Sequence, residues 1–351
     1  MMDAPPVHYA KTSDGYDIAY AVRGQSDRAL VAVPMPHNHL QLLWQQAGDT
    51  QQMLAGLAER YRLVQYDARG QGMSMRGLPD EIPVEAFLLD LEAVVDRLSL
   101  ERFILYGWGN ALGHVAIRYA LAHPERVQGL VLQCTAVETS AWPGALFVDL
   151  PAQNWDLYLR QVARAWAQRA AELAGRDPQE VDHEHTYEFL QACATQHDYL
   201  ATLRAFRQSD ISDLLSGMKT PTLLLHPRDF TPLPVAEAVR MASSIANSRL
   251  VLLDGSTRHG NIDQLLRAVD DFVSSLGSEG DRAAKPVTHA LSDREIEVLR
   301  LLAAGKSNQQ IADELVISRN TVRRHVSNVF DKTGVANRTE ASVYARDHGL
   351  V

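Results

Sequence analysis

The sequence has little of what membrane proteins, disulfide-rich proteins and zinc proteins require. Its only two cysteines, Cys134 and Cys193, lie in apolar stretches and neither belongs to a CxxC pair, which favours two buried free thiols. No run of about 18 consecutive apolar residues is present, and the first residues lack a basic segment followed by an apolar one. These absences predict a cytoplasmic protein with no metal site and no membrane partner.

Positive charge is also scarce. The 351 residues include 34 Lys and Arg against 43 Asp and Glu, a net charge of −9, which argues against nucleic-acid binding over the whole surface. The segment Lys285–Val351 differs, because its ten basic and eight acidic residues give a balance of +2. An acidic body with a mildly basic tail places any contact with DNA in the tail.

A segment of small and polar residues, Ser274–Pro286, has the composition of a flexible linker. At roughly 100–200 residues per domain, the chain is long enough for two domains. We therefore expect a body over residues 1–275, a linker over 276–287 and a small domain over 288–351.

In the body, short apolar runs alternate with segments of helical periodicity. This alternation predicts the α/β class, with a mostly parallel sheet covered by helices on both faces. Val7–Lys11 and Asp17–Val22 flank a turn sequence and predict an antiparallel hairpin. Residues 140–215 are rich in Trp and Ala and interrupt the alternation, so we expect a helical lid there, inserted between two strands.

The tail carries four helix-start signals. Ser292 and Ser307 each stand three residues before a Glu or Gln, the spacing of a capping box. Ser318 and Asn337 mark the expected starts of a third and a fourth helix, and Gly305 suits the left-handed end of the first. Four short helices in about 60 residues predict a compact all-α domain.

The third tail helix has one apolar and one polar face. Val322, Val326 and Val329 recur at helical spacing and form the expected buried stripe. The opposite face is rich in guanidinium, amide and hydroxyl groups, which are the groups that contact base edges and phosphates in a major groove. It carries Asn320, Arg323, Arg324, Ser327, Asn328 and Asp331.

The tail resembles the DNA-binding domain of the LuxR/GerE family. The matching segments are Leu291–Leu299, Gly305–Ala312, Ile317–Asn328 and Gly334–Ala341. The resemblance implies a helix-turn-helix domain that binds double-stranded DNA, with its third helix in the major groove. The residues expected to contact DNA are Ser318, Asn320, Thr321, Arg323, Arg324, His325, Ser327, Asn328 and Lys332.

The resemblance also implies a homodimer, because the last helix of such domains normally pairs with its twin. Here that helix is expected over Arg338–His348. Ala341, Ser342 and Ala345 are small residues, and we expect them to permit close approach of the two helices.

The body resembles the α/β-hydrolase family over most of residues 7–275. Asp67-Ala68-Arg69-Gly70-Gln71-Gly72-Met73-Ser74 matches a D-x-R-G-x-G-x-S turn of that family, and Tyr119–Val127 matches the region after its nucleophile. The nucleophile position of the G-x-S-x-G elbow holds Gly109, whereas His259 matches the family histidine and Asp229 is the candidate acid. Since glycine has no nucleophilic atom, we expect that the chain is not an enzyme.

A lidded fold without its nucleophile predicts a sensor domain that binds a small molecule. The expected ligand contacts come from the loop after the third strand, the elbow, the lid and the family histidine: Met35, His37, Trp108, Gly109, Asn110, Trp155 and His259. Nothing resembles a phosphate-binding glycine loop, so we expect no cofactor and a partly aromatic or acyl effector.

Two alternatives remain open. In the first, the body is an enzyme fused to a DNA-binding domain, and an Asp229–His259 pair acts as a general base without a serine. In the second, the body only dimerises and binds no ligand. No phosphorylated receiver pattern precedes the tail, so we do not expect control by phosphotransfer.

Overall fold

The computed structural model describes residues 4–35, 37–46, 48–109, 111–139, 145–173, 175–179, 181–207, 209–276, 292–333, 338, 341 and 344–345. The chain forms two compact units, residues 1–280 and 281–351. Several sequence predictions fall outside the described residues: most of the 276–287 linker, Asn110, Asn337 and Ser342.

One eight-stranded sheet forms the centre of the first unit, in the order β1-β2-β4-β3-β5-β6-β7-β8. Only the β1–β2 and β2–β4 pairs are antiparallel, which confirms the expected hairpin and the mostly parallel sheet. The strands are β1 His8–Lys11, β2 Asp17–Arg23, β3 Ala29–Ala32, β4 Arg62–Tyr66, β5 Phe103–Trp108, β6 Val127–Gln133, β7 Thr222–Pro227 and β8 Ser248–Leu253.

Helices cover both faces of this sheet because its central strands are apolar on both sides. In β5, Leu105 packs in a core cluster with the helices on one face, and its neighbour Ile104 packs in a second cluster on the other. The helices outside the lid are α1 Asp49–Arg60, α2 Ala86–Arg97, α3 Ala111–Ala122, α9 Val235–Ser244 and α10 Ile262–Leu276, and Leu42–Gln45 forms a short 3-10 helix.

The lid lies between β6 and β7 in the chain, as the sequence predicts. It consists of α4 Ala145–Gln153, α5 Trp155–Leu173, α6 Glu184–Cys193, α7 Gln196–Phe206 and α8 Ser212–Leu215. Both cysteines are buried free thiols, as expected. Among the helices of the described residues, none has the length and apolar character needed to cross a bilayer.

The second unit contains α11 Asp293–Ala303, α12 Asn308–Leu315 and α13 Arg319–Thr333. Both predicted capping boxes are formed, at Ser292 and Ser307. The hydroxyl of Ser318 accepts the backbone N–H of Thr321 at 3.1 Å, which caps α13 as expected. A single left-handed residue, Val316, turns the chain between α12 and α13.

The predicted role of Ala341 and Ala345 at a dimer interface is wrong. Both are fully buried, in a cluster with Leu299 of α11 and Val329 of α13. Their side chains therefore pack inside their own domain and are not on a surface that a partner can reach.

A buried guanidinium holds the turn after β4. Arg69 is only 1 % exposed, and its Nε donates to Asp90 Oδ1 on α2 at 2.7 Å while its Nη1 donates to Asp14 at 2.6 Å. Asp90 is fully buried and also accepts the backbone N–H of Arg69 at 2.9 Å. Removing one partner of such a pair leaves a desolvated charge without compensation.

We therefore predict that Asp90→Ala lowers the free energy of unfolding by about 3–5 kcal/mol. A matched control on the same helix is Asp96→Ala, because Asp96 pairs with Arg126 at 2.8 Å but is 58 % exposed. The control should cost about 0–1 kcal/mol. Urea unfolding of the three proteins measures both values, and equal effects of the two substitutions would contradict the assignment of Arg69 as a buried anchor.

Candidate functional site

A cavity of about 830 Å³ lies at the carboxyl edge of the sheet, between the sheet and the lid. This is the edge at which ligands bind in open parallel sheets. The loops after β3, β7 and β8, the start of α1 and the lid helices α5 and α6 all contribute to its wall. The apolar wall residues are Met35, Leu43, Trp166, Phe189, Phe230 and Pro232, and polar ones include Asp49, Thr50, Arg169, Arg258 and His259.

The elbow after β5 ends at Gly109, which has a φ of +67°. This left-handed conformation favours glycine. The Gly109 N–H donates to the carbonyl oxygen of Gln133 at 3.0 Å, and a Cβ at this position would meet no described heavy atom within 4 Å. The space above the elbow is therefore open, and the residue at the nucleophile position supplies no reactive atom.

His259 is buried and both of its ring nitrogens have partners. Nδ1 lies 3.0 Å from the side-chain nitrogen of Gln133, at the end of β6, and Nε2 lies 2.9 Å from the hydroxyl of Thr50. The Gln133 nitrogen also donates to the Arg258 carbonyl oxygen at 2.9 Å, and its oxygen accepts the Tyr106 hydroxyl at 2.7 Å. A single orientation of the Gln133 amide satisfies these three contacts, with its nitrogen toward Arg258 and His259 and its oxygen toward Tyr106.

These contacts fix the proton on the imidazole. A carbonyl oxygen only accepts, so the amide nitrogen of Gln133 must face Arg258, and that same nitrogen donates to Nδ1 of His259. The proton of the neutral ring is therefore on Nε2, which donates to Thr50. Burial lowers the pKa of His259 to about 4, so the ring is neutral at pH 7.

The predicted Asp229–His259 pair is not formed. Asp229 follows β7 with an exposed side chain, whereas the ring nitrogens of His259 are occupied by Gln133 and Thr50. The residue in contact with Nδ1 is thus an amide from the end of β6 and not a carboxylate from the end of β7. A general base of the triad type needs a lone pair on Nε2, and in this hydrogen-bonding arrangement Nε2 is a donor.

The loop after β3 is anchored by a buried carboxylate. Asp67 accepts the side-chain amide of Asn38 at 2.6 Å and the backbone N–H of Met73 at 2.8 Å. A Cβ on Gly72 would lie 2.2 Å from Asp67 Oδ2, so this turn requires glycine. The anchored loop places His37 inside the lid, where it stacks on Tyr199 with ring centroids 4.9 Å apart.

The structure brings only part of the predicted ligand set to the cavity wall. Met35 and His259 line the cavity. His37, Trp108, Gly109 and Trp155 are not among the residues of its wall. The Trp108 ring packs edge-on against His259, at 5.9 Å between centroids, and His37 packs edge-on against Trp166, at 6.1 Å.

Sequence reasoning missed the residues that hold His259 and the cation beside it. Gln133, Thr50 and Arg258 belong to none of the motifs described above. The available signal was the place of each residue in the chain, at the carboxyl edge of the sheet. Gln133 ends β6, Arg258 lies in the loop after β8, and Thr50 lies at the start of α1.

In the second unit, α13 has the two faces that its sequence predicts. Val322 and Val329 are fully buried and Val326 is half-buried. The predicted DNA-contacting side chains lie at least partly in solvent: Ser318, Asn320, Arg323, Arg324 and Ser327 are exposed, and Thr321, His325 and Asn328 are half-buried. The side chain of Lys332 lies outside the described residues.

Comparison with known proteins identifies the first unit. The family model "alpha/beta hydrolase fold" matches residues 43–256, and the chain belongs to this family. A putative carbamate hydrolase RutD from Rhizobium rhizogenes is 29 % identical over 221 residues, which cover 60 % of this chain and 80 % of the relative. An enol-lactonase from Burkholderia xenovorans has the same fold, with a TM-score of 0.61 and 20 % identity over 76 % of this chain and all of that one.

The C-terminal unit matches a second family model, "Bacterial regulatory proteins, luxR family", over residues 289–345. The transcriptional regulatory protein LiaR from Bacillus subtilis is 45 % identical over 121 residues, which cover 34 % of this chain and 56 % of LiaR. The chain is thus a fusion of an α/β-hydrolase-fold domain with a LuxR-family helix-turn-helix DNA-binding domain.

These matches correct one expectation. We expected from Gly109 that the chain is not an enzyme, and the relatives of its larger domain are named as hydrolases over most of that domain. The absence of a nucleophile at one position does not outweigh this similarity, because one fold can host many different functions.

The exposed arginines of α13 generate a prediction for DNA binding. Arg323→Ala and Arg324→Ala should each weaken specific binding by about 1–3 kcal/mol, because each removes a guanidinium able to pair with a base edge or phosphate. Arg300→Ala on α11, an exposed arginine of the same domain, is the matched control and should bind normally. Fluorescence anisotropy with a DNA duplex that carries the operator selected by the wild-type protein measures the affinity of all three variants. Normal affinity of both α13 variants would refute the assignment of this helix as the DNA-contacting one.

The Gln133 contact generates a prediction for the pKa of His259. Gln133→Glu places a carboxylate beside Nδ1, which should move the proton to Nδ1 and raise the pKa of His259 from about 4 to roughly 5–7. Gln133→Met removes the amide without adding charge and should leave the pKa low. NMR titration of the ring nitrogens reports both, and an unchanged pKa in the Glu variant would show that residue 133 does not contact the ring.

Proposed function

We propose that this protein is a transcription regulator whose hydrolase-fold domain binds a small molecule in the cavity under the lid, and that the bound molecule changes the affinity of the LuxR-family domain for DNA. The observation that carries this proposal is the cavity itself, which joins apolar lid residues to a few polar groups around His259. Such a mixture of apolar wall and sparse polar groups is typical of small-molecule sites.

The DNA-binding part of the proposal uses the polar face of α13. Ser318, Asn320, Arg323, Arg324 and Ser327 are exposed on or beside that helix. We propose that they, with the other predicted contacts, bind one half-site. A homodimer would present two such helices and bind half-sites about one helical turn apart, in the cytoplasm, where bacterial DNA lies.

A ligand shifts DNA binding only if it has different affinities for the two arrangements of the protein. The lid and the loops after β3, β7 and β8 surround the cavity together. A molecule held between them therefore stabilises one arrangement of lid and sheet over others. We propose that this difference is transmitted through the 276–287 segment or through the dimer.

A second candidate function is turnover of the bound molecule, which the hydrolase names of the relatives favour. Any such reaction would proceed without a covalent intermediate at residue 109, because glycine offers no nucleophile there. Mass spectrometry of compounds that co-purify with the full chain, before and after incubation, distinguishes binding from turnover.

The test of the proposed function is a cavity-filling substitution. Ala170 on α5 lines the cavity, and Ala170→Trp should block it while basal operator binding stays normal. Gln161→Trp is the control, since Gln161 is exposed on the same helix and outside the cavity wall.

In the wild type and the control, the compound that co-purifies with the wild-type chain should change operator affinity by about 5–150-fold, and in Ala170→Trp it should have no effect. Electrophoretic mobility shifts with and without the compound provide the measurement. An identical response of all three proteins would place the effector site elsewhere.

A further inference from the structure

The cavity wall contains the guanidinium of Arg258, for which the described residues provide no ion-pair partner. Nη1 of Arg258 donates to the sulfur of Met35 at 3.3 Å, and its Nε is buried with no hydrogen-bond partner. In the described part of the chain, no carboxylate forms an ion pair with this group. An arginine side chain carries five N–H donors and keeps its charge at neutral pH, so most of its donor capacity is unused.

The other charges on the wall do not neutralise Arg258. Asp49 is near enough to favour the charged guanidinium through space, but its Oδ1 accepts the backbone N–H of Thr50 at 2.8 Å. Arg169 pairs with Glu172 at 2.7 Å and also donates to the hydroxyl of Ser256. Asp229 is exposed. Of the two cations on the wall, Arg258 is therefore the one for which the described residues form no ion pair.

Burial without an ion pair is costly for a cation. Desolvation lowers the pKa of Arg258 from its usual value, which is the direction expected for a charged group that lacks a close partner. A protein gains nothing in stability from such a group, and functional sites are where a fold commonly retains one.

The groups around Arg258 define which anion would fit. His259 carries its proton on Nε2 and Thr50 has a hydroxyl beside it, so two further polar groups line the same wall. Trp166, Phe189 and other apolar side chains form the remaining wall. Asp49 and Asp229 lie in the same wall, and their negative charges disfavour a ligand with more than one negative charge.

We propose that the cavity binds a monocarboxylate with an apolar aryl or acyl body, and that Arg258 is the residue that pairs with its carboxylate. The planar guanidinium matches a carboxylate in a two-point contact, and the apolar body packs against Trp166 and Phe189. This proposal rests on the proposed function, since it names the chemical class of the molecule bound in the same cavity.

The test compares acids with their neutral isosteres. Isothermal titration calorimetry of the full chain uses phenylacetate and octanoate against phenylacetamide and octanamide. The wild type should bind each acid at least about 10-fold more tightly than its amide, because a hydrogen bond to a charged group contributes about that much or more. Equal affinities for acid and amide would overturn the proposal.

Variants assign the preference to one residue. Arg258→Met keeps an unbranched apolar side chain beside Met35 and should lose about 10- to 100-fold in acid affinity while its amide affinity stays the same. Arg258→Lys should retain part of the preference. Arg164→Met, which removes an exposed arginine of α5 outside the cavity wall, is the control and should behave as the wild type. Unchanged acid affinity in Arg258→Met would overturn the proposal.

The thermal stability of the protein without ligand tests whether the Arg258 cation lacks a structural partner. Thermal unfolding of Arg258→Met should show a midpoint equal to or above that of the wild type, since the substitution removes a desolvated charge. A clearly lower midpoint would mean that Arg258 has a structural partner and would contradict the proposal.

The two proposals fail in different ways. If amides and acids bind equally and Ala170→Trp blocks both, the cavity is a small-molecule site without acid selectivity, and only the inference about Arg258 is lost. If none of the four probes binds the wild type, the inference about a monocarboxylate is overturned, and the effect of co-purified compounds on operator binding decides the proposed function separately.

Discussion

The polar part of the cavity depends on the orientation of one buried amide, that of Gln133. The Arg258 carbonyl oxygen and the Tyr106 hydroxyl fix which end of the amide carries the N–H groups. That orientation directs a donor at Nδ1 of His259 and so places the imidazole proton on Nε2, toward Thr50. The carbonyl contact also holds the backbone of Arg258, whose side chain extends along the wall of the cavity. One amide thus sets the proton position on the histidine and contacts the backbone of the adjacent arginine.

This arrangement differs from a hydrolytic triad in the charge and the hydrogen-bonding groups that it offers a ligand. A triad presents a nucleophile and a basic nitrogen, whereas this wall presents a guanidinium and the hydroxyl of Thr50, which accepts the Nε2–H of His259, with open space above Gly109. The relatives of this domain are named as hydrolases, and the same chain carries a LuxR-family DNA-binding domain. The proposed role of the site is to bind a small anionic molecule.

Local signals in the sequence predicted most of the fold. Capping boxes at Ser292 and Ser307 were correct because a cap depends on residues three positions apart. The mostly parallel sheet and the lid followed from periodicity and from the resemblance to the hydrolase family. Ala341 and Ala345 were misassigned because small residues suit a tight domain core as well as a dimer interface, and composition alone does not separate the two.

The site was harder to predict because its contacts join distant parts of the chain. Gln133 and His259 are 126 positions apart, and Thr50 and His259 are 209 apart. Asp229 was predicted as the partner of His259 because it follows strand β7. The partner is instead Gln133, at the end of the neighbouring strand β6. The unpaired state of Arg258 is a property of its surroundings in space, for which the sequence has no local mark.

The central claim is that occupancy of the cavity and binding of DNA are coupled, and coupling is reciprocal. The most direct measurement is the affinity of the full chain for the compound that co-purifies with it, determined by calorimetry with the protein free and with the protein saturated by its operator. The account predicts that the operator changes this affinity by the same factor by which the compound changes operator affinity. Identical affinities in the two titrations would contradict it, because a ligand that does not distinguish the two states cannot shift the balance between them.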